Sequence, residues 1–221
     1  MPLKKIIEVY PNIYCLPFTN STTLGMTFLR FQEHYESPYF RGKVFTLKEY
    51  KKWYFKKFDT NTFDYCMQYV GFNLPYTGFI PFSLGKFDPL TKNEEGLLDQ
   101  VCQLPNPFYI IGINIKHRQA LTHLVHETAH GLYYLCKPYR KTMQGLVRCI
   151  PKKIIKEIHE ELALCGYHKD VYTDEIQAYF VDKMTNGHYD IDYEIIEKFE
   201  NEFKKYCEHQ GLAKRLHLVY D

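Results

Sequence analysis

His117-Arg118-Gln119-Ala120-Leu121-Thr122-His123-Leu124-Val125-His126-Glu127-Thr128-Ala129-His130-Gly131-Leu132-Tyr133-Tyr134-Leu135 places apolar residues at 121, 124, 125, 129, 132 and 135. That spacing predicts a mostly buried helix. Helical residues four apart lie about 40° apart in projection, so His126 and His130 leave one face on adjacent turns and can converge on a single ion. Glu127 stands about 100° round from His126, where its carboxylate can reach a water on that ion without taking a coordination position. The pattern H-E-x-x-H on a helix is the spacing of a two-histidine zinc site with a general base beside it.

Working outward, Phe108 to Ile115 is short and β-branched after the breaker Pro105-Asn106-Pro107, which predicts a strand just before the helix. Thr91-Lys92-Asn93-Glu94 is a capping box opening a helix to about Leu104. Downstream, Pro151 and Gly166 bracket another helix, and two more are predicted at about 173 to 185 and 192 to 209. The N-terminal part has a different texture. Ile6 to Leu16 and Leu24 to Phe31 are predicted as short strands. Thr46-Leu47-Lys48-Glu49 is a second capping box, opening a helix to about Phe58 with Leu47, Tyr50, Tyr54 and Phe58 on its buried side. Gly71 to Pro89, rich in Gly and Pro, is predicted as loop. The expectation is an α+β chain with an aromatic-rich, mixed lobe at 1–90 and a mostly helical core at 91–221, together one unit.

Composition narrows the function classes. The 221 residues are 45% apolar, enough for one substantial core. A formal net charge of +2 gives no field that would gather nucleic acid or anionic membrane. The lysines of the 47 to 58 helix form a solvated face. No segment approaches the length of a membrane span or of a signal peptide's apolar region. Seven cysteines without a C-x-x-C pair point to reduced thiols, hence a cytoplasmic chain, with export lacking a cleaved signal left open. No Gly-rich phosphate loop and no nucleophile-elbow serine occurs.

An open zinc site takes three protein ligands and a water. The extended metzincin pattern would need Gly at 133 and His at 136, where this chain has Tyr133 and Cys136. An unbroken helix would turn Cys136 about 240° away from His130. A carboxylate from a later helix is the alternative, and Tyr172-Thr173-Asp174-Glu175-Ile176-Gln177-Ala178-Tyr179-Phe180 opens one. Glu175 in its first turn, near the small Ala178, is the favoured third ligand; Glu160 and Glu161 compete with it.

H-E-x-x-H followed by a D-E-x-x-A-Y helix resembles the gluzincin branch of the zincin metallopeptidases, over about residues 108 to 185. Glu175 is similar to that family's glutamate ligand, although Asp174 stands where the thermolysin pattern has Asn and the stretch between His130 and Glu175 is longer. The resemblance implies a zincin-like core in which the strand at Phe108 to Ile115 offers its edge to an extended peptide. It also implies a donor for the tetrahedral oxyanion, with Tyr179, His159 and His168 as candidates. Asp174 or Asp182 would hold a zinc-bound imidazole in its tautomer. The expected function is hydrolysis of a peptide or protein bond by a zinc-activated water, with Glu127 as general base and His126, His130 and Glu175 as ligands. The alternative is a non-catalytic module with a structural or vestigial metal site, binding a partner protein.

Overall fold

Asn12 in the left-handed region, at φ 62, folds the first predicted strand back on itself after Pro11. The result is a hairpin of β1 (Ile7–Tyr10) and β2 (Ile13–Phe18), where the sequence suggests one strand. The computed structural model describes residues 3–165, 167–182 and 189–216. Gly166 and the expected helix end near 185 lie outside the described residues. The chain forms two compact units, Met1–Ala120 and Leu121–Asp221.

In the first unit, α1 (Ser21–Glu36) replaces the strand expected at Leu24 to Phe31. Asn20 caps it by accepting from the Thr23 N–H at 2.9 Å, and Leu24, Phe28 and Phe31 then share a buried face at helical spacing. The capping boxes at Thr46 and Thr91 both form and open α2 (Leu47–Phe58) and α4 (Lys92–Val101). Tyr50 and Tyr54 are buried on α2, whereas Phe58, expected inside, is exposed at the helix end. The stretch from Gly71 to Pro89 holds more than loop: it contains β3 (Gly71–Pro75) and the single-turn helix α3 (Ile80–Ser83).

The sheet order is β1-β2-β4-β3, with β4 (Tyr109–Asn114) parallel to β2 and antiparallel to β3. Strand β4 is therefore hydrogen-bonded on both sides. The edge role expected for Phe108 to Ile115 is not available to it, because each edge is already filled by a neighbouring strand. Helix α1 lies so close to β4 that a Cβ at Gly112 would stand 2.4 Å from the Phe28 ring, which explains glycine there. Aromatic rings fill the core of this unit, with Phe82 stacked on Phe87 at 3.8 Å and Phe28 on Phe72 at 5.5 Å. Within it the Arg30 guanidinium makes a two-pronged ion pair with Glu94, at 2.7 and 2.6 Å, and also donates to the Phe87 and Pro89 carbonyls.

The second unit is helical: most of α5 (Ala120–Leu135), then α6 (Lys137–Cys149), α7 (Lys152–Leu164), α8 (Tyr172–Val181), α9 (Tyr193–Lys204) and α10 (His209–Leu216). Helices α6 and α10 are absent from the sequence-based expectation. Buried residues recur at helical spacing, Tyr139, Met143 and Val147 on α6 and Ile154, Ile158 and Leu162 on α7. Helices α6, α8 and α9 pack on one another, with Phe180 against Phe199 at 4.9 Å. Among the described residues no helix is long and apolar enough to cross a membrane.

Candidate metal centre

Helix α5 is continuous through His126 and His130, and both imidazoles are buried. Its only hydroxyl in that turn, Thr128, is satisfied inside the helix by donating to the Leu124 carbonyl at 2.6 Å. The helix stops at Cys136, and the Arg140 guanidinium donates to the Tyr133 and Tyr134 carbonyls at 3.1 Å each, capping the carbonyls left over at its end. Cys136 is thereby the N-cap of α6 and takes no part in the histidine cluster.

The two Nε2 atoms face each other 3.1 Å apart. Behind them, each Nδ1 is held by a carboxylate: His126 by Asp182 at 2.7 Å and His130 by Asp174 at 2.9 Å. Both aspartates belong to α8, Asp174 in its first turn and Asp182 as its C-cap, so partners on α5 run backward as α8 advances. Between the aspartates Ala178 is fully buried on the same helix, too small to obstruct close packing. Glu175 places Oε2 at 3.7 Å from His130 Nε2 and 3.9 Å from His126 Nε2. That oxygen is buried and has no hydrogen-bond partner. The Glu127 carboxylate lies within 4.8 Å of the ligand atoms of both histidines.

A tetrahedral ion bound to two imidazoles would hold the nitrogens about 3.3 Å apart, close to the separation seen. Glu175 stands about 0.5 Å wider than such an edge. An unpaired buried carboxylate oxygen is costly unless something cationic meets it, and here it faces the Nε2 atoms of two imidazoles. The donor set therefore fits a divalent metal ion. Two carboxylates stand at the pair: Glu127, grouped with both histidines within 4.8 Å, and Glu175, whose Oε2 lies within 3.9 Å of both Nε2 atoms.

The electrostatics agree. Burial pulls both histidines toward the neutral form, yet the Asp182 hydrogen bond leaves His126 above its ordinary 6.5. The charges of Asp174 and Glu175 together lift His130 well above 6.5 against the same burial. Burial raises Glu175 above the usual carboxylate range, although His130 and His126 pull it down. With Glu127, Asp174, Glu175 and Asp182 around two imidazoles, positive charge is drawn to the Nε2 pair.

Tyr179 is half-buried with its ring 4.9 Å from that of His126. Burial first, and then the Glu175 charge, push its pKa up to about 12, so it keeps its proton near neutrality and can donate. The other candidates are engaged differently. His159 packs on Tyr172, and His168 pairs with Asp170 at 3.3 Å. Glu160 is exposed and pairs with Lys156, while Glu161 accepts from the Tyr189 hydroxyl. Two residues with a place behind the site carry no sequence signal of their own: Tyr139 and Gln177, which lead from α6 to Asp174. The every-fourth pattern of Tyr139, Met143 and Val147 would have revealed α6, and with it Tyr139. Comparison with protein-family models, with curated proteins and with solved structures finds no match.

Proposed function

We propose that the protein is a zinc-dependent peptidase whose metal ligands are His126, His130 and Glu175. The observation that carries this reading is the unpaired, buried Oε2 of Glu175 facing both Nε2 atoms, each imidazole being oriented from behind by an aspartate. Two nitrogens and one carboxylate oxygen suit zinc. Bound there, zinc supplies Lewis acidity and lowers the pKa of a water to about 7. Glu127 accepts the proton of the attacking water and passes it to the leaving amine. Tyr179 donates to the oxygen on which charge develops. The intact Glu127 favours catalysis over a purely structural site, which has no use for a general base.

Metal content decides the first half of the reading. Purified protein is expected to hold about one zinc per chain, and His126→Ala to lose it. Equal metal in both would overturn the site. Glu127→Gln is then expected to keep zinc and lose hydrolysis of peptides released in a treated lysate by about 10²- to 10⁴-fold. Products appearing equally with wild type and Glu127→Gln would refute the catalytic assignment. Zinc retained with nothing cleaved would favour a non-catalytic, partner-binding module instead.

A further inference from the structure

On the His130 side a chain of hydrogen bonds runs inward from the partly exposed Asp174 to the buried Gln177 and Tyr139. Asp174 Oδ1 accepts from His130 Nδ1 at 2.9 Å and from Gln177 Nε2 at 3.0 Å, so one oxygen receives two donors. Gln177 Oε1 in turn accepts from the Tyr139 hydroxyl at 2.9 Å. Tyr139 and Gln177 are both fully buried. Burial, and then the charges of Asp174 and Glu202, keep the Tyr139 phenol protonated, so its O–H is available to donate to Gln177 Oε1.

The direction of the chain follows from its chemistry. An ionised carboxylate accepts only, so Gln177 must turn its NH2 toward Asp174 and its carbonyl oxygen away. That oxygen is then buried and needs a donor, and Tyr139 is the group that meets it. With Gln177 locked in this sense, Asp174 cannot swing away from Nδ1, and the His130 proton is fixed on Nδ1. Nε2 is left facing the metal position, 3.1 Å from His126 Nε2. His126 has its own aspartate, Asp182, and meets this chain only through its Nε2 contact with His130 at 3.1 Å.

We propose that Tyr139 and Gln177 are positioning residues that fix the tautomer of His130 through Asp174 and so set the affinity of the centre for zinc. The proposal rests on the zinc reading above for its consequence, but the tautomer itself can be read without any metal.

The test uses Tyr139→Phe, which keeps the ring and its edge-on contact with Tyr206 at 5.3 Å, and Gln177→Met, which keeps length without polarity. Long-range proton–nitrogen spectra of the metal-free, full-length chain in alkaline buffer report which ring nitrogen of each histidine carries hydrogen. Wild-type His130 is expected as a single Nδ1–H form. In both variants it is expected to become a mixture, while His126 keeps its hydrogen on Nδ1, held by Asp182. Zinc affinity, measured by competition with a chromophoric chelator, is expected to fall about 10-fold, at the lower end of the loss seen when groups behind metal ligands are removed. Met143→Ala, one turn further along α6, supplies the structural control: it lowers the melting temperature but is expected to leave the His130 spectrum intact.

If His130 remains a single Nδ1–H form in Tyr139→Phe and Gln177→Met, the proposal is wrong. It is equally wrong if both histidines change alike, or if Met143→Ala produces the same mixture, since packing alone would then be responsible. A wild type that binds no zinc would sink the metal reading instead, with the spectra still deciding the relay.

Discussion

Glu33 is a carboxyl held inside an aromatic cluster, and single residues of this kind set measurable properties. Burial raises its pKa above the ordinary 4.5, while the hydroxyls of Ser37, Tyr50 and Tyr65 pull the other way without cancelling the shift. The folded state therefore binds the proton more tightly than the unfolded chain. Its contribution to stability is fully present below about pH 4.5 and is lost as the pH rises through the folded value. Glu33→Gln, which stays neutral, is expected to gain on wild type as pH rises from that point. The readout is urea denaturation followed by Trp53, the only tryptophan, which packs on Tyr39, Phe40 and Tyr50 in the same unit. A difference between the two proteins that does not grow with pH would show that Glu33 is ionised inside the fold at no cost. His126, Glu127 and His130 were legible at this scale because a pattern within one helical turn fixes their relation before any packing is known. Glu175 was singled out by its place in the first turn of a helix, by the nearby Ala178 and by the resemblance to the gluzincin pattern, and its Oε2 lies within 3.9 Å of both Nε2 atoms. Gln177 was not, because its role exists only where α6 brings Tyr139.

Elements depend on both local and distant terms, and the two do not show equally in the sequence. Helices α2 and α4 start at Thr46 and Thr91 because a capping box is a set of hydrogen bonds within four residues. Helix α1 was read as a strand because its Thr and Phe residues lean that way intrinsically, whereas its face is decided by the close approach to Gly112 and Cys66. Strand β3 is short, begins at Gly71 and ends at Pro75, so its identity comes from the partner it pairs with. The bond between α1 and α4 is of the distant kind. Arg30 and Glu94 are both buried, so removing one charge strands the other. Glu94→Gln is expected to lower stability by about 3–5 kcal/mol, in the Trp53 urea transition. Glu95→Gln, exposed on the same turn, is expected to change it by less than about 0.5 kcal/mol. A loss for Glu94→Gln as small as for Glu95→Gln would mean that the two carbonyls on Arg30 suffice to hold it.

Across the whole molecule, every residue of the proposed metal centre belongs to the second unit. Zinc at about 100 times its dissociation constant is expected to stabilise the state that binds it by about 2.7 kcal/mol. Hydrogen exchange is expected to slow in α5 and α8 on adding zinc, with the Trp53 transition of the first unit unmoved. Slowing spread evenly over β2, β4 and α5 would contradict a centre confined to the second unit. The rigid backing of both imidazoles has a further consequence, for competition among ions. Magnesium demands six nearly octahedral oxygens and calcium six to eight, and neither geometry can be assembled from two pinned imidazoles and one carboxylate. The proposed centre is therefore expected to ignore the alkaline-earth ions, leaving copper, nickel and cobalt as the rivals of zinc for occupancy.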